Sequence, residues 1–196
     1  AMALSTQPKL LVLDEPTTAL DVTTQAVILD LFRELIRNND AAALYVSHDL
    51  GTVAQLCDHV TVLYGGEIME TAPVRDLYSR PLHPYTAGLM ASLPRHSDRV
   101  GARLSTIQGV APSLADRPTG CVFAPRCPIA IDHCHQEKPP LEPADDGRMI
   151  RCWRWQEIAS EQVETTSEPE AIGESPAPRR ELVLQAQNVS RQFGTQ

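Results

Sequence analysis

Leu10-Leu11-Val12-Leu13-Asp14-Glu15 is a run of four large apolar residues that ends in two adjacent carboxylates. Such a run suits a strand buried on both faces of a parallel sheet. Asp14 and Glu15 then stand at the strand's C-terminal end, the edge where open α/β sheets bind their ligands. Two carboxylates there suit a division of labour, one holding a metal ion and one orienting or deprotonating a water. A strand followed by an ordinary polar turn is the alternative, and the flanking residues decide between the two.

Upstream, residues 1–5 suit the end of a helix, with Gln7-Pro8-Lys9 as the turn into the strand. Downstream, Pro16 to Asp21 is a polar loop, and Asp21 or Thr23 can cap a helix running to about Arg37. Ile28, Leu29, Phe32, Leu35 and Ile36 give that helix one broad apolar face. Ala41 to Ser47 suits a second buried strand, ending in Ser47-His48-Asp49, and a helix of about two turns follows from Leu50 to Leu56. His59 to Tyr64, Gly65-Gly66 and Glu67 to Glu70 predict a hairpin, with a short helix next at Pro73 to Tyr78. Strand, helix, strand, helix and hairpin predict an α/β fold whose parallel sheet ends in antiparallel strands. Pro84 to Leu93 suits one more helix; from Pro94 to Pro143 the chain is rich in Pro, Gly and Cys and needs a staple in place of a large core.

The 196 residues carry a net charge of −8 with 42% hydrophobic content, enough for a core and the wrong sign for non-specific nucleic-acid binding. Six Glu and two Arg between Glu157 and Arg180 supply half of that charge, and the segment suits a disordered linker. No apolar run approaches the roughly 18 residues that a membrane span needs. No basic-then-apolar signal peptide opens the chain, which begins Ala-Met-Ala-Leu in mid-pattern.

Leu-Leu-Val-Leu-Asp-Glu-Pro-Thr-Thr-Ala-Leu-Asp, followed 27 residues after Asp21 by His48 in Ser-His-Asp, resembles the second half of an ABC-transporter nucleotide-binding domain. Residues 1–80 carry the likeness: Leu10 to Glu15 as the Walker B strand, Ala19-Leu20-Asp21 as the D-loop, His48 as the switch histidine. The resemblance implies the second half of a P-loop NTPase fold. It implies that Asp14 helps hold Mg²⁺ through water, that Glu15 is the general base orienting the attacking water, that His48 senses the γ-phosphate of ATP, and that Asp21 communicates with an opposing subunit. No Gly-x-x-x-x-Gly-Lys-Ser/Thr loop and no Leu-Ser-Gly-Gly-Gln signature occur. The expectation is therefore a chain that starts after the signature and that alone neither binds ATP tightly nor hydrolyses it.

Cys121-x₅-Cys127-x₆-Cys134-x₁₇-Cys152 is a second candidate centre. Four thiolates suit Zn²⁺ or an iron–sulfur cluster, and reduced thiols without metal are the plain alternative. There is no Cys-x₂-Cys pair, which argues against an ordinary zinc ribbon, and Cys127-Pro128 occurs in ferredoxin-type ligand runs. His133 and His135 flank Cys134 and could substitute as ligands, but solvated loop histidines are the favoured reading, while Cys57 suits a core position. Arg80-Pro81-Leu82-His83-Pro84-Tyr85-Thr86, with Gly120-Cys121, Pro125-Arg126-Cys127-Pro128, Cys134 and Arg151-Cys152-Trp153, resembles the C-terminal extension of oligopeptide/dipeptide and nickel importer ATPases. In some members of that family the four Cys hold a [4Fe–4S] cluster, which the resemblance carries to Cys121, Cys127, Cys134 and Cys152. The two prolines and the aromatic of His83-Pro84-Tyr85 are expected to fix chain direction, not to bind a ligand.

Four regions result: 1–80, the C-terminal half of a nucleotide-binding domain; 81–156, the Cys-containing extension; 157–180, the linker; and 181–196. The last resembles the first strand of a second nucleotide-binding domain, with Phe193 where the family places an aromatic on adenine. The family resemblance implies an ATPase on the cytoplasmic face of the cell membrane, bound to membrane-spanning permease subunits and a second nucleotide-binding domain in tandem or as a separate subunit. A substrate-binding protein would take part indirectly. A non-transport ABC ATPase and a metal or redox module on an ABC-type scaffold are the competing functions.

Overall fold

The molecule, studied as a computed structural model, is described over residues 7–39, 41–93, 106–113, 117–144 and 147–165. The helix end expected at 1–5, the linker beyond 165 and the strand of 181–196 lie outside the described residues. Strand β1 (Leu10–Asp14) pairs in parallel with β2 (Ala42–Val46), from Leu10↔Ala42 to Asp14↔Val46. Helix α1 (Val22–Asn38) makes the crossover. Asp21 is its N-cap, its Oδ1 accepting from the N–H of Thr23 and Thr24 at 3.1 and 3.0 Å. These bonds satisfy two donors that a helix start otherwise leaves unpaired.

Burial of the strands on both faces is not what the structure has. Leu11 is buried, but Leu10, Val12, Leu44 and Val46 share the other face and are 56, 59, 53 and 46% exposed. A two-stranded sheet presents two faces, and no described residue covers this one.

Helix α2 (Leu50–Leu56) leads into β3 (His59–Tyr64), β4 (Glu67–Pro73) and α3 (Val74–Ser79). Gly65 and Gly66 turn the hairpin at φ +56° and +77°, the conformation a two-residue primed turn requires. The hairpin does not extend the parallel sheet. It belongs to a separate antiparallel sheet of order β3-β4-β6-β5, in which β5 (Glu142–Pro143) and β6 (Met149–Ile150) come from the Cys-containing extension. The segment expected to be irregular thus completes a sheet, through strands of two residues each that show no periodicity.

Helix α4 (Pro84–Ala91) follows the Arg80 to Tyr85 motif, whose side-chain partners explain it. Glu70 is fully buried, and its two carboxylate oxygens accept the backbone N–H groups of Leu82 and His83, each at 3.0 Å. Buried Arg148 donates through both terminal nitrogens to the carbonyl of Arg80, each at 2.9 Å. His83 caps α4, its Nδ1 accepting from the N–H of Tyr85 at 3.0 Å. Tyr85, Tyr64 and Phe123 form an aromatic cluster with centroids 4.6 to 5.3 Å apart, in the range of favourable ring pairs. The motif does fix chain direction, and it fastens hairpin and extension together.

Burial holds the His83 imidazole neutral, its pKa pushed down to about 4. The unfolded chain therefore binds more protons than the folded chain between about 4 and the ordinary 6.5, so stability rises with pH across that window. The expected loss on acidifying through it is about 3 kcal/mol. Urea midpoints of wild type and His83→Asn, which keeps a capping oxygen but cannot titrate, should converge below pH 4; parallel curves from pH 4 to 7 would contradict the assignment.

After a 3₁₀ turn at Ala124–Arg126 and the short helix α5 (Asp132–Gln136), the chain ends its described part in α6 (Trp155–Thr165). This helix overlaps the segment expected to be a disordered linker from Glu157. Its residues are helix formers with no Pro before Pro169. Trp155 anchors it by donating from Nε1 to Glu142 Oε1 at 2.9 Å, and Arg154 Nε donates to Glu157 Oε2 at 2.8 Å.

Candidate functional site

The site is built at the C-terminal edge of β1 and β2. The parallel ladder continues one bond beyond the strands, with Glu15 N–H donating to Val46 C=O at 2.9 Å. Glu15 then adopts φ +47°, and Ala19 φ +73°. A left-handed conformation at a non-glycine residue is strained and is characteristic of functional loops. Its effect is to turn the Glu15 carboxylate out of the sheet direction towards His48. Thr18 Oγ1 donates to Glu15 Oε2 at 2.5 Å, and His48 Nδ1 lies 2.7 Å from Glu15 Oε1. An ionised carboxylate only accepts, so the imidazole nitrogen is the donor.

Residues 33 apart in sequence thus share one hydrogen bond at the ends of neighbouring strands. The Thr18 hydroxyl, then His48, hold the Glu15 carboxyl below its ordinary range, and the Glu15 carboxylate holds the His48 imidazole above its own. Both side chains remain reachable by a ligand, His48 at 78% exposure and Glu15 at 36%. Asp14, one residue earlier, is exposed at the same edge.

Asp21 and Asp49 flank this pair. Asp49 caps α2 through the N–H of Gly51 and Thr52 and receives the Thr52 hydroxyl at 2.6 Å. Its own N–H donates to Ser47 Oγ at 3.0 Å, a turn that presents His48 to solvent. The side chains of Asp14, Glu15, Asp21 and His48 expected from the sequence therefore lie on the connections leaving the two parallel strands. Thr18 and Gln25 contribute hydrogen bonds that sequence reasoning missed; the one available signal for Thr18 was a hydroxyl three residues after a carboxylate.

The four late cysteines are free thiols around a common core. Cys121 and Cys134 are buried with Tyr64, Met69 and Phe123, and Cys127 packs against them. Gly120 precedes Cys121 because a Cβ there would stand 2.3 Å from the Cys134 carbonyl oxygen, to which Cys121 N–H donates at 2.8 Å. Burial raises the Cys121, Cys127 and Cys152 thiols, Cys152 to about 12, and the other three thiols add to that rise at Cys152. Among the described residues, however, no three His, Cys, Asp or Glu side chains are grouped so as to hold a metal ion. The structure therefore lends no support of its own to the metal centre expected at Cys121, Cys127, Cys134 and Cys152, nor to the zinc alternative. The His133 ring lies against Trp153, with centroids 4.5 Å apart and the planes tilted by 45°.

A parallel strand pair with carboxylates at its edge, a capping aspartate on the crossover helix and a histidine two residues past the next strand are consistent with the second half of an ABC-type nucleotide-binding domain. Residues 69–134 match the family described as oligopeptide/dipeptide transporter, C-terminal region. A peptide import ATP-binding protein of Brucella ovis is 49% identical over 165 residues, 82% of this chain and 49% of its own length. The oligopeptide transport ATP-binding protein AppD of Bacillus subtilis is 46% identical over 83% of this chain and 49% of its own. The oligopeptide transport ATP-binding protein OppD of Salmonella typhimurium is 49% identical over 79% and 45%. The chain spans about half the length of these relatives. The ATP-binding proteins of peptide importers are thus what the chain is similar to, over the residues these matches cover. No helix among the described residues is long and apolar enough to cross a membrane.

Proposed function

We propose that this chain supplies the hydrolytic edge of an ATPase that powers peptide import at the cytoplasmic face of a membrane. The observation that carries the proposal is the Glu15–His48 hydrogen bond of 2.7 Å across the ends of two parallel strands. Phosphoryl transfer asks a protein chiefly to position a nucleophile and to neutralise charge. Glu15 orients the attacking water. Its carboxylate is held by Thr18 and His48 at low basicity, which suits holding a water more than removing its proton early. His48 carries a proton at this edge, and its exposed face reaches the γ-phosphate. Asp14 would hold Mg²⁺ through water, and the ion, when bound, would supply charge neutralisation at the phosphates. Asp21 faces the opposing nucleotide-binding domain. No phosphate-cradling group is assigned to these 196 residues, among which no Gly-x-x-x-x-Gly-Lys-Ser/Thr loop occurs.

Permease subunits, a second nucleotide-binding domain and, indirectly, a substrate-binding protein complete the assembly; the names of the relatives support peptides as cargo. The test is ATP hydrolysis by the intact ATP-binding protein reconstituted with its permease partners. Stimulation by a peptide-loaded binding protein is expected. Hydrolysis indifferent to peptide would sink the importer reading and favour a non-transport ATPase.

The thiols are a separate part of the proposal. We assign Cys121, Cys127, Cys134 and Cys152 to a [4Fe–4S] cluster that staples the extension. Support comes from their spacing and from the field the four thiols exert on one another at Cys152. No step of hydrolysis runs through the cluster. Anaerobically prepared protein is expected to contain iron and acid-labile sulfide; absence of both refutes the assignment.

A further inference from the structure

Gln25 joins the two connections that carry the site. Its backbone N–H makes the first bond of α1, to the Asp21 carbonyl at 2.8 Å. Its side-chain amide leaves that helix and donates to Asp49 Oδ2 at 3.0 Å and to Thr52 Oγ1 at 2.7 Å. Those acceptors form the cap of α2, and Asp49 is bonded directly to His48 in the chain. The amide is half-buried, so water competes little for these bonds. One residue therefore ties the start of α1, with Asp21 at its cap, to the start of α2, with His48 at its threshold. Removing it leaves β1–β2 pairing and both caps intact, because Asp21 is held by Thr23 and Thr24, and Asp49 by Gly51 and Thr52. What is lost is the register between the two caps.

We propose that Gln25 is a positioning residue that couples the Asp21 loop to His48, so that contacts made at Asp21 reach the Glu15–His48 pair. Asp49 Oδ2 accepts from Gln25 across this link and from the Thr52 hydroxyl of its own helix, and the Asp49 N–H donates back to Ser47 Oγ. Any shift of α1's first turn is passed through the amide to the turn that presents His48. The chain of contacts is Asp21, α1, Gln25, Asp49, His48, Glu15, with each neighbouring pair joined by a covalent or hydrogen bond. The inference rests on the ATPase reading above, and its test separates the two.

Gln25→Met keeps length and removes the donor; Gln25→Lys restores a donor to Asp49. In the intact ATP-binding protein with its partners, Met is expected to lower kcat roughly tenfold, within the range for residues that modulate coupling, with KM for ATP unchanged. Lys should recover most of the loss. In the 196-residue chain, the His48 imidazole, followed by NMR against pH, should move back towards its ordinary value in the Met variant and stay raised in the Lys variant. A Met variant equal to wild type in both kcat and His48 titration overturns the proposal, as does a Lys variant as impaired as Met. If wild type hydrolyses no ATP, the ATPase reading fails while the His48 titration still decides whether Gln25 positions that side chain.

Discussion

Glu15→Gln in the intact ATP-binding protein will lower kcat for ATP hydrolysis about 10²–10⁴-fold, with nucleotide binding retained. Glutamine preserves the length of the side chain and can still accept the Thr18 hydroxyl, so the strained turn at φ +47° has no reason to relax. The charge is lost. A neutral amide holds the attacking water less firmly, offers no base, and no longer draws a proton onto His48. The His48 imidazole, raised by the Glu15 carboxylate in the native chain, should then titrate closer to its ordinary value. Single-turnover hydrolysis and nucleotide binding measured on the same preparation check this. A kcat within threefold of wild type would remove Glu15 from its role and with it the observation on which the functional proposal stands. His48→Ala, by contrast, leaves the carboxylate in place with Thr18 alone, and should retain more activity than Glu15→Gln.

Glu70→Ala is expected to destabilise the chain by roughly 2–6 kcal/mol, since two buried N–H groups lose their acceptor at about 1–3 kcal/mol each. Glu70 is 0% exposed and takes the N–H groups of Leu82 and His83. No neighbouring carbonyl can replace an acceptor aimed at two successive donors, and water has no access. Glu70→Gln keeps one acceptor oxygen but presents an NH₂ to the other donor, and should cost less than Ala. The loss should concentrate where the extension docks on the hairpin, so Trp153 and Trp155 fluorescence should report it together with the urea midpoint. An unchanged midpoint would mean that the Arg80 to Tyr85 segment is held by its aromatic contacts alone.

These two residues illustrate what sequence reasoning reaches. Glu15 was legible because its chemistry follows directly from pattern: an apolar run ends, two carboxylates follow, and Asp21 and His48 recur at a fitting distance. Strand β1, helix α1 with its Asp21 cap, helix α2 and the two-glycine hairpin were legible for the same reason, since local periodicity and capping chemistry dictate them. Glu70 was not legible. Nothing around it says that this carboxylate, and not Glu67, turns inward to hold a backbone segment twelve residues later. The strands β5 and β6 escaped because two residues carry no period, and α6 was masked by an acidic composition that resembles a linker.

For the site, the sequence by itself determined which groups are available: Asp14, Glu15, Asp21, His48 and the four late cysteines. Only the tertiary structure decided how they meet. It joined Glu15 to His48 because parallel pairing of β1 with β2 brings two strand ends to one edge. It added Thr18 and Gln25, whose reach depends on the turn at Glu15 and on the approach of α1 to α2. It buried Cys121 and Cys134 with Tyr64, Met69 and Phe123, because the burial of a thiol depends on neighbours that spacing cannot reveal. Local chemistry is written in consecutive residues; distances between groups far apart in the chain are set by packing, which exists only once the whole chain has folded.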